Sequence, residues 1–498
     1  MSILEITKLN EVYLKINCES YIQKELSEYF TFQTPNSKHD PRVKAKKWDG
    51  KIRLFALRQK TLYVGLLPYL ETFCADRDYT IKYTNDDLSV EDEFSKYHAD
   101  KFIDSLKLHS DDKPLSPRDY QIDALMHVMQ ARRALVISPT SSGKSLILYM
   151  IFRQLLDYKN LKGLLIVPSS ALVKQLTGDF GDYSSHNGFD VSGNIHQIYD
   201  GAGKITDKKL TISTWQALYE MPKEFFDQFD YVIGDEAHTC TAQSVSYILS
   251  SCVNAKYRVG VTGTIKDTQV HKLVLEGLFG KLKQFITTKE LMDRKEVSDL
   301  MINCLILNYD EVYKKLIYKK PYEDEIDFLI SHPARNKFIK NLALSLNNNT
   351  LILYKYVDRH GEILYNMIKD SEKIGNRKVF FIHGDVGTND REEIRRIFEK
   401  ETNAIIIGST GTVSTGTNIK NLHNIIFAHP SKSKILTLQS IGRELRLHKS
   451  KEQANLYDIS DDLRYKDKMN YTLKHFVERV KIYNEEKFPF KIYKIGLK

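Results

Sequence analysis

Ser138-Pro139-Thr140-Ser141-Ser142-Gly143-Lys144-Ser145 follows a short apolar run and opens an apolar helical pattern. The order fits G-x-x-x-x-G-K-[ST], with serine at the first glycine. Backbone N–H groups of such a loop, and the helix N-terminus behind it, cradle phosphates. In that pattern Lys144 neutralises β/γ-phosphate charge and the Ser145 hydroxyl reaches Mg2+. Further on, Tyr231-Val232-Ile233-Gly234-Asp235-Glu236-Ala237-His238 ends another apolar run with two adjacent carboxylates. Desolvating unpaired charge is costly. A cation offsets that cost: Asp235 would hold Mg2+, directly or through water, while Glu236 takes a proton from an attacking water. An exposed turn, where acids carry no such penalty, is the other setting for this pair. A third group, Gln439-Ser440-Ile441-Gly442-Arg443-Glu444-Leu445-Arg446, puts Arg443 and Arg446 on one helical face. An arginine supplied across a cleft neutralises charge developing on a transferring phosphoryl group. Taken alone, two such arginines read as ordinary surface residues.

These loops need rigid elements to hold them, and the chain supplies a repeated rhythm. Apolar runs at 134–137, 164–167, 210–213, 231–233 and 257–261 are followed by a second set at 351–354, 379–382, 404–407, 425–428 and 455–459. Runs apolar on both faces fit buried parallel strands, and the patterns at 146–156 and 363–368 fit crossover helices. The expected fold is α/β: two tandem parallel-sheet domains, a small α+β N-terminal domain and a short C-terminal helical segment. The expected boundaries are 1–112 with its linker, 113–288, 289–460 and 461–498. Leu473, Phe476, Val477, Val480 and Tyr483 recur at helical spacing, a packing face first and a binding face second.

The chain has 498 residues, 42% hydrophobic and 28% charged, with a net charge of +9. No apolar run approaches the ~20 residues of a membrane helix, and the start lacks the basic and apolar regions of a secretory signal. The five cysteines lie far apart, which gives no disulfide framework and no zinc pattern and points to a reducing cytoplasm. Charge is unevenly placed. Arg42, Lys44, Lys46, Lys47, Lys51, Arg53, Arg58 and Lys60 face the single acid Asp49 over that stretch, and an acidic segment, 86–112, follows. Asp49-Gly50 is a two-residue hairpin signal. The expectation is a ribbon projecting cations at a spacing that follows phosphates, followed by a solvated connector. A plain solvated face is the alternative for each. Trp48 fits either base stacking or a staple in the local core.

Together these residues resemble the DExH branch of the superfamily-2 helicases and translocases, in order over roughly 115–459. The resemblance implies two RecA-like motor domains binding ATP·Mg2+ between them. Pro117-Arg118-Asp119-Tyr120-Gln121 is similar to the Q-motif region, implying that Gln121 reads adenine and Arg118 helps position the nucleotide. Thr140, Ser141, Ser142, Gly143, Lys144 and Ser145 lie in motif I and Asp235–His238 form motif II. Pro168-Ser169, Thr214-Trp215, Lys355 and His383-Gly384 match motifs that contact nucleic acid. Thr262-Gly263-Thr264 resembles the motif coupling hydrolysis to domain movement. Ser414-Thr415-Gly416 looks like motif V, and Gln439–Arg446 motif VI, implying that Gly416 and Gln439 contact nucleotide, that Arg443 and Arg446 are arginine fingers, and that His238 senses Gln439. Two departures stand out: Ser141 where most relatives have glycine, and Thr417-Asn418 where many place an acid.

The ends carry a narrower resemblance. Lys47-Trp48-Asp49-Gly50-Lys51-Ile52-Arg53-Leu54 and Leu62-Tyr63-Val64-Gly65-Leu66 look like the N-terminal domain of phage UvsW helicases; Lys420-Asn421-Leu422-His423 and Lys474-His475 also look UvsW-like. This implies an ATP-driven motor on branched DNA, acting in fork regression, Holliday-junction branch migration and R-loop removal during recombination, repair and replication. Lys46, Lys47, Lys51 and Arg53 would then belong to a duplex-binding module. The implied partners are branched or duplex DNA and, in R-loops, RNA. A monomer in the cytoplasm (of the host cell, for a phage-encoded protein) is expected. The other readings are a DEAH-type RNA helicase and a nucleotide-gated nucleic-acid-binding protein without useful hydrolysis.

Overall fold

The computed structural model describes residues 2–34, 37–85, 93–198, 206–265, 269–413, 419, 421–429, 433, 437–438, 440–442, 445–448 and 451–497. The chain divides into two compact units, 1–138 with 143–285 and 139–142 with 286–498. In the first unit a small sheet, β5-β2-β1-β6, forms from β1 (Ile3–Lys8), β2 (Tyr13–Asn17), β5 (Thr61–Tyr63) and β6 (Thr80–Tyr83). Its inward-facing Leu4, Ile6, Leu14 and Ile16 pack with Ile22, Leu26 and Phe73 from two helices. The larger sheet has the order β11-β12-β10-β13-β14-β9-β15. Its strands are β9 (Arg133–Ile137), β10 (Gly163–Val167), β11 (Ile195–Ile198), β12 (Leu210–Thr214), β13 (Tyr231–Asp235), β14 (Tyr257–Thr262) and β15 (Leu282–Gln284). Every pairing in it is parallel. Strands covered on both faces need apolar residues throughout, which is why β10 and β13 are buried along their whole length. The helix Lys144–Lys159 is buried nearly all round its middle, as a helix sunk into a core must be.

The small domain is fastened to this sheet. Arg133, at the start of β9, donates to the Glu11 carboxylate at 2.6 Å, and Tyr69 donates to Glu276 at 2.6 Å. A Cβ on Gly65 would sit 2.0 Å from the Glu276 carbonyl, so only glycine lets the two backbones approach so closely. Leu273 of the motor sheet's helix completes the small domain's core.

The second unit repeats the architecture with the order β18-β19-β17-β20-β21-β16-β22. These are β16 (Asp299–Asn308), β17 (Thr350–Tyr354), β18 (Val379–Ile382), β19 (Ile405–Ser409), β20 (Asn424–Phe427), β21 (Gln453–Asp462) and β22 (Phe490–Gly496). The expected C-terminal helix spans Tyr471–Glu485 and packs on this unit. Arg479 pairs with Asp458, both fully buried, and Tyr483 donates to the same carboxylate. Glu325 accepts from the Thr472 N–H and hydroxyl and from the Tyr471 N–H, neutralising the positive end of the helix.

Three sequence expectations need correction. No hairpin turns at Asp49-Gly50: β4 (Lys51–Arg53) pairs with β3 (Thr31–Gln33) across a longer loop that includes the helix Pro41–Lys44. Gly50 does take φ +75°, but the pairing partner is chosen by packing on the small sheet. Within the acidic segment, Lys96–Leu106 is a packed helix, because Ala99, Phe102 and Leu106 share one face and enter the core of the first unit's larger sheet; residues 86–92 lie outside the described residues. Its end leads into a two-strand ladder, β7 (His109–Ser110) with β8 (Lys113–Pro114), where a plain linker is expected. The segment after 460 adds the strand β22 to the helix; its alternating lysines leave it mostly exposed, so no apolar run announces it.

The second unit also buries neutral imidazoles. Among the described residues His360 has a hydrogen-bond partner for neither ring nitrogen, and burial, then Arg335 and His429, hold it well below the usual histidine range. Burial, then Lys355 and Arg335, push His429 down to about 3. An unfolded chain takes up these protons below about pH 6.5, whereas the folded chain refuses them. Stability is therefore full above that pH and falls as pH drops below it, for His429 by about 1.4 kcal/mol per pH unit toward 3. The melting temperature is expected to fall between pH 7.5 and 5, and less steeply in His429→Gln. A profile as steep in that variant as in the parent would contradict the assignment.

Candidate functional site

In parallel sheets the loops at the carboxyl ends of the strands form sites, and register sets which loops are neighbours. Ile137 of β9 lies beside Thr262 of β14, and Val261 of β14 beside Asp235 of β13. Lys144 and Ser145 open the helix after β9, so they share one edge with the paired acids. Gly143 takes φ +80°, and a Cβ there would meet the Gln121 amide nitrogen at 2.4 Å. Glycine is thus needed twice over at this position. The Gln121 Oε1 accepts from the Arg118 N–H at 2.9 Å, which closes the start of the helix Asp119–Ala131. Arg118 itself donates to the Tyr120 hydroxyl at 2.9 Å. Thr140, Ser141 and Ser142 make the loop tip. Ser141 sits at φ +70°, the conformation that explains why glycine suits this position. The Ser142 hydroxyl donates to the Pro139 carbonyl at 2.6 Å.

Lys144 donates to the Ser138 carbonyl at 3.4 Å, a long bond that leaves the ammonium ready for a better acceptor. Burial, then the neighbouring Glu236, push Asp235 up to about 7 against the opposing charge of Lys144. A carboxyl so destabilised as an anion gains from a bound cation. Its oxygen and the Ser145 hydroxyl form a hard donor set of the kind Mg2+ takes. The Ser145 hydroxyl lies 2.7 Å from the Tyr183 hydroxyl, a partner that no spacing in the sequence announces.

Glu236 stands at φ +49°, outside the strand, with its side chain 22% exposed. Its Oε2 is 3.3 Å from His238 Nδ1, which also lies 3.0 Å from the Thr262 hydroxyl. Thr262 in turn reaches the Thr264 carbonyl at 3.0 Å. An acid and an imidazole on the loop after β13, with a hydroxyl at the end of β14, therefore form one relay within the first unit.

The same edge continues through β10 and β12, where Val167 pairs with Thr214. This sets Pro168-Ser169 beside Thr214-Trp215. Ser169 caps the helix Ser170–Tyr183 and Thr214 caps the helix Trp215–Tyr219, so both hydroxyls already hold backbone N–H groups. Trp215 packs against the core under Leu218 and Phe226, which leaves less of its ring for contact than the sequence reading assigns.

In the second unit, Lys355 follows β17 and His383-Gly384 follow β18, with β19 between them. Lys355 is exposed, its ammonium 5.1 Å from the Tyr356 ring. His383 Nδ1 lies 3.4 Å from Asp385, and a Cβ on Gly384 would meet nothing within 4 Å. Arg446 follows a turn whose Leu445 carbonyl accepts from the Ser298 N–H at 2.8 Å. Gly416, Gln439 and Arg443, with Ser414, Thr415, Thr417, Asn418 and Glu444, lie outside the described residues.

On the small domain, Lys46, Lys47 and Lys51 are exposed, and among the described residues none is ion-paired. Arg53 differs: its guanidinium pairs with Asp49 at 2.5 Å and holds that carboxyl down to about 2. Trp48 donates to the Lys51 carbonyl at 3.0 Å and carries the Arg42 guanidinium 4.7 Å from its ring, so it staples the loop.

Residues 6–84 match the family described as DNA helicase UvsW, N-terminal; 114–267 match Type III restriction enzyme, res subunit; and 334–448 match Helicase conserved C-terminal domain. The chain is 33% identical to the ATP-dependent DNA helicase uvsW of Enterobacteria phage T4, over 97% of this chain and 98% of the relative. It is 24% identical to the DNA 3'-5' translocase XPB2 of Sulfurisphaera tokodaii, over 72% of this chain and 84% of the relative. The crystal structure of T4 UvsW superposes with a TM-score of 0.53 at 31% identity, covering 99% of this chain and 100% of that one. Two RecA-like sheets, with the P-loop and the paired acids on one edge of the first, define an ATP-dependent DNA helicase of superfamily 2. Within that class the chain belongs to the UvsW helicase family. Among the described residues no helix is long and apolar enough to cross a membrane.

Proposed function

We propose that this helicase works on branched DNA, regressing forks, migrating Holliday junctions and removing RNA from R-loops. It acts as a monomer in the cytoplasm, the host's for a phage-encoded protein. Gln121 and Arg118 orient the nucleotide base, and the loop of Thr140, Ser141, Ser142 and Gly143 wraps the phosphates. Lys144 neutralises the β/γ charge. Asp235 and Ser145 would hold Mg2+, which supplies charge neutralisation on the phosphate oxygens. The Ser145 hydroxyl can donate to Tyr183 and still present a lone pair to such an ion. Glu236 accepts the proton of the attacking water, while His238 keeps its carboxylate oriented. Gly416 and Gln439 contact the nucleotide, and Arg443 and Arg446 offset charge on the transferring phosphoryl group. Thr262 and Thr264 pass the state of the site to the neighbouring loops. Pro168, Ser169, Thr214 and Trp215 on one unit, with Lys355, His383 and Gly384 on the other, track the DNA backbone.

One observation supports this reading most. A single sheet edge carries the nucleotide residues on β9, β14 and β13 and the proposed DNA residues on the adjoining β10 and β12. A change at the phosphates is therefore passed between neighbouring strands. Backbone contacts of this kind are sequence-tolerant and salt-sensitive.

Lys46, Lys47 and Lys51 are proposed to grip a duplex arm. Changing all three to glutamine is expected to weaken junction binding several-fold while basal ATP hydrolysis stays at the parent level. Arg53→Gln, whose charge Asp49 already offsets, is expected to do far less. Equal junction affinity for the triple variant and the parent, measured by fluorescence anisotropy, would return the loop to an ordinary solvated face.

A further inference from the structure

The carboxyl ends of β16, β21 and β22 line a solvent-open cavity of about 410 Å3, with Asn308, Lys314, Asp462, Arg464 and Lys494 beside Ile306 and Ile495 in its wall. Strand ends of a parallel sheet are where ligands sit, and none of the roles above uses these three. The charge there is cationic. Arg464 lies fork-to-fork on Asp462, at 2.9 and 2.6 Å, and remains half-exposed. Lys314 donates to Asn308 at 2.7 Å.

The cavity opens beside a second feature. Tyr318 and Tyr465 meet edge to face, ring centres 5.3 Å apart, and lysines surround them. Lys319 and Lys468 lie 5.2 and 6.0 Å from the Tyr318 ring, and Lys315 and Lys466 each lie 5.8 Å from that of Tyr465. Lys315 is paired with Glu311 at 3.7 Å. Lys319, Lys466 and Lys468 are exposed and, among the described residues, have no carboxylate in ion-pair contact. Two of them, Lys319 and Lys466, sit in tight turns at φ +62° and +52°. Asp467 stands between Lys466 and Lys468 in the chain, and the lysines of the two loops outnumber it. Lysines interleaved with tyrosines beside a cationic cavity suit a phosphodiester backbone, with a ring face for a base or sugar.

We infer that this surface, formed by Lys314, Tyr318, Lys319, Tyr465 and Lys466 with Lys468 and Lys494 at its rim, binds the backbone of a DNA arm. This is a different arm from the strand tracked by Lys355, His383 and Gly384. The inference rests on the branched-DNA reading and gives it a second anchoring point.

Lys319→Glu/Lys466→Glu/Lys468→Glu tests it in the full-length protein, with Lys466→Gln/Lys468→Gln as the milder variant if the triple change lowers the yield of folded protein. Affinity for a four-way junction and for a short single strand is measured from 50 to 200 mM salt. The triple variant is expected to bind the junction at least tenfold more weakly and to lose about 3 from the slope of log affinity against log salt. Its single-strand affinity and basal ATP hydrolysis should match the parent. The milder variant should lose about 2 from the same slope. A parent preference for the junction that the variants keep, with an unchanged slope, would overturn the inference and leave the branched-DNA reading standing. Equal weakening on both ligands would place the lysines on the tracking path and overturn the second-arm assignment. A parent that binds both ligands alike would overturn the branched-DNA reading and this inference with it.

Discussion

Glu236→Gln is expected to bind ATP as the parent does and to lose about 10³-fold in DNA-stimulated hydrolysis, within the range a positioned general base supplies. The substitution keeps the shape of the side chain and an acceptor oxygen for His238, whose Nδ1 is 3.3 Å from the present carboxylate. What it removes is the ability to take a proton. Asp235, pushed up to about 7 by burial and by Glu236 itself, is the neighbour most affected. With Glu236 neutral, the like-charge part of that push disappears, so Asp235 ionises more readily. Nucleotide titration and steady-state phosphate release read the two effects separately. Hydrolysis at the parent rate would remove Glu236 from the role of base.

Arg446→Ala is expected to cost 10³-fold or more in hydrolysis, with DNA affinity at the parent level. The main chain around Arg446 is tied independently of its side chain, through the Ser298 N–H to the Leu445 carbonyl and the Ser298 hydroxyl to the Arg446 carbonyl at 3.3 Å. The turn should therefore survive the truncation, and the loss would report the guanidinium alone. Arg446→Lys keeps a charge without the planar fork and is expected to recover only a small part of the rate. A rate within threefold of the parent for Arg446→Ala would exclude it as a finger.

The motor sheets were legible because their central strands are apolar on both faces, a pattern that few other settings require. Most edge strands carry no such signal, Val379–Ile382 being the exception. Ile195–Ile198, Leu282–Gln284 and Phe490–Gly496 keep an exposed side and mix polar residues among apolar ones, so their existence depends on neighbours distant in sequence. The long β16 lies between β21 and β22, and its Asn303 splits the apolar run that would have marked it.

The site divides in the same way. Lys144, Ser145, Asp235 and Glu236 stand out because chemistry demands those types at strand ends, and the register brings their loops to one edge. Tyr183 was hidden: it ends a helix as one tyrosine among many, and only the fold carries it to Ser145. Asp49-Gly50 misled because a turn signal fixes a local backbone preference without fixing which strand pairs next. Asp49 also took Arg53 out of the cationic surface, a contact four residues away that charge counting overlooks. Trp48 resolved as a staple through its indole N–H.

ATP hydrolysis measured with forks, four-way junctions, R-loops, single strands and RNA duplexes, each at low and moderate salt, tests the central claim most directly. Stimulation should be strongest with branched DNA and fall as salt rises, because phosphate contacts are lost with counterion competition. Stimulation by RNA duplexes alone, or hydrolysis indifferent to every nucleic acid offered, would contradict a motor driven along branched DNA by the Lys144–Asp235–Glu236 edge.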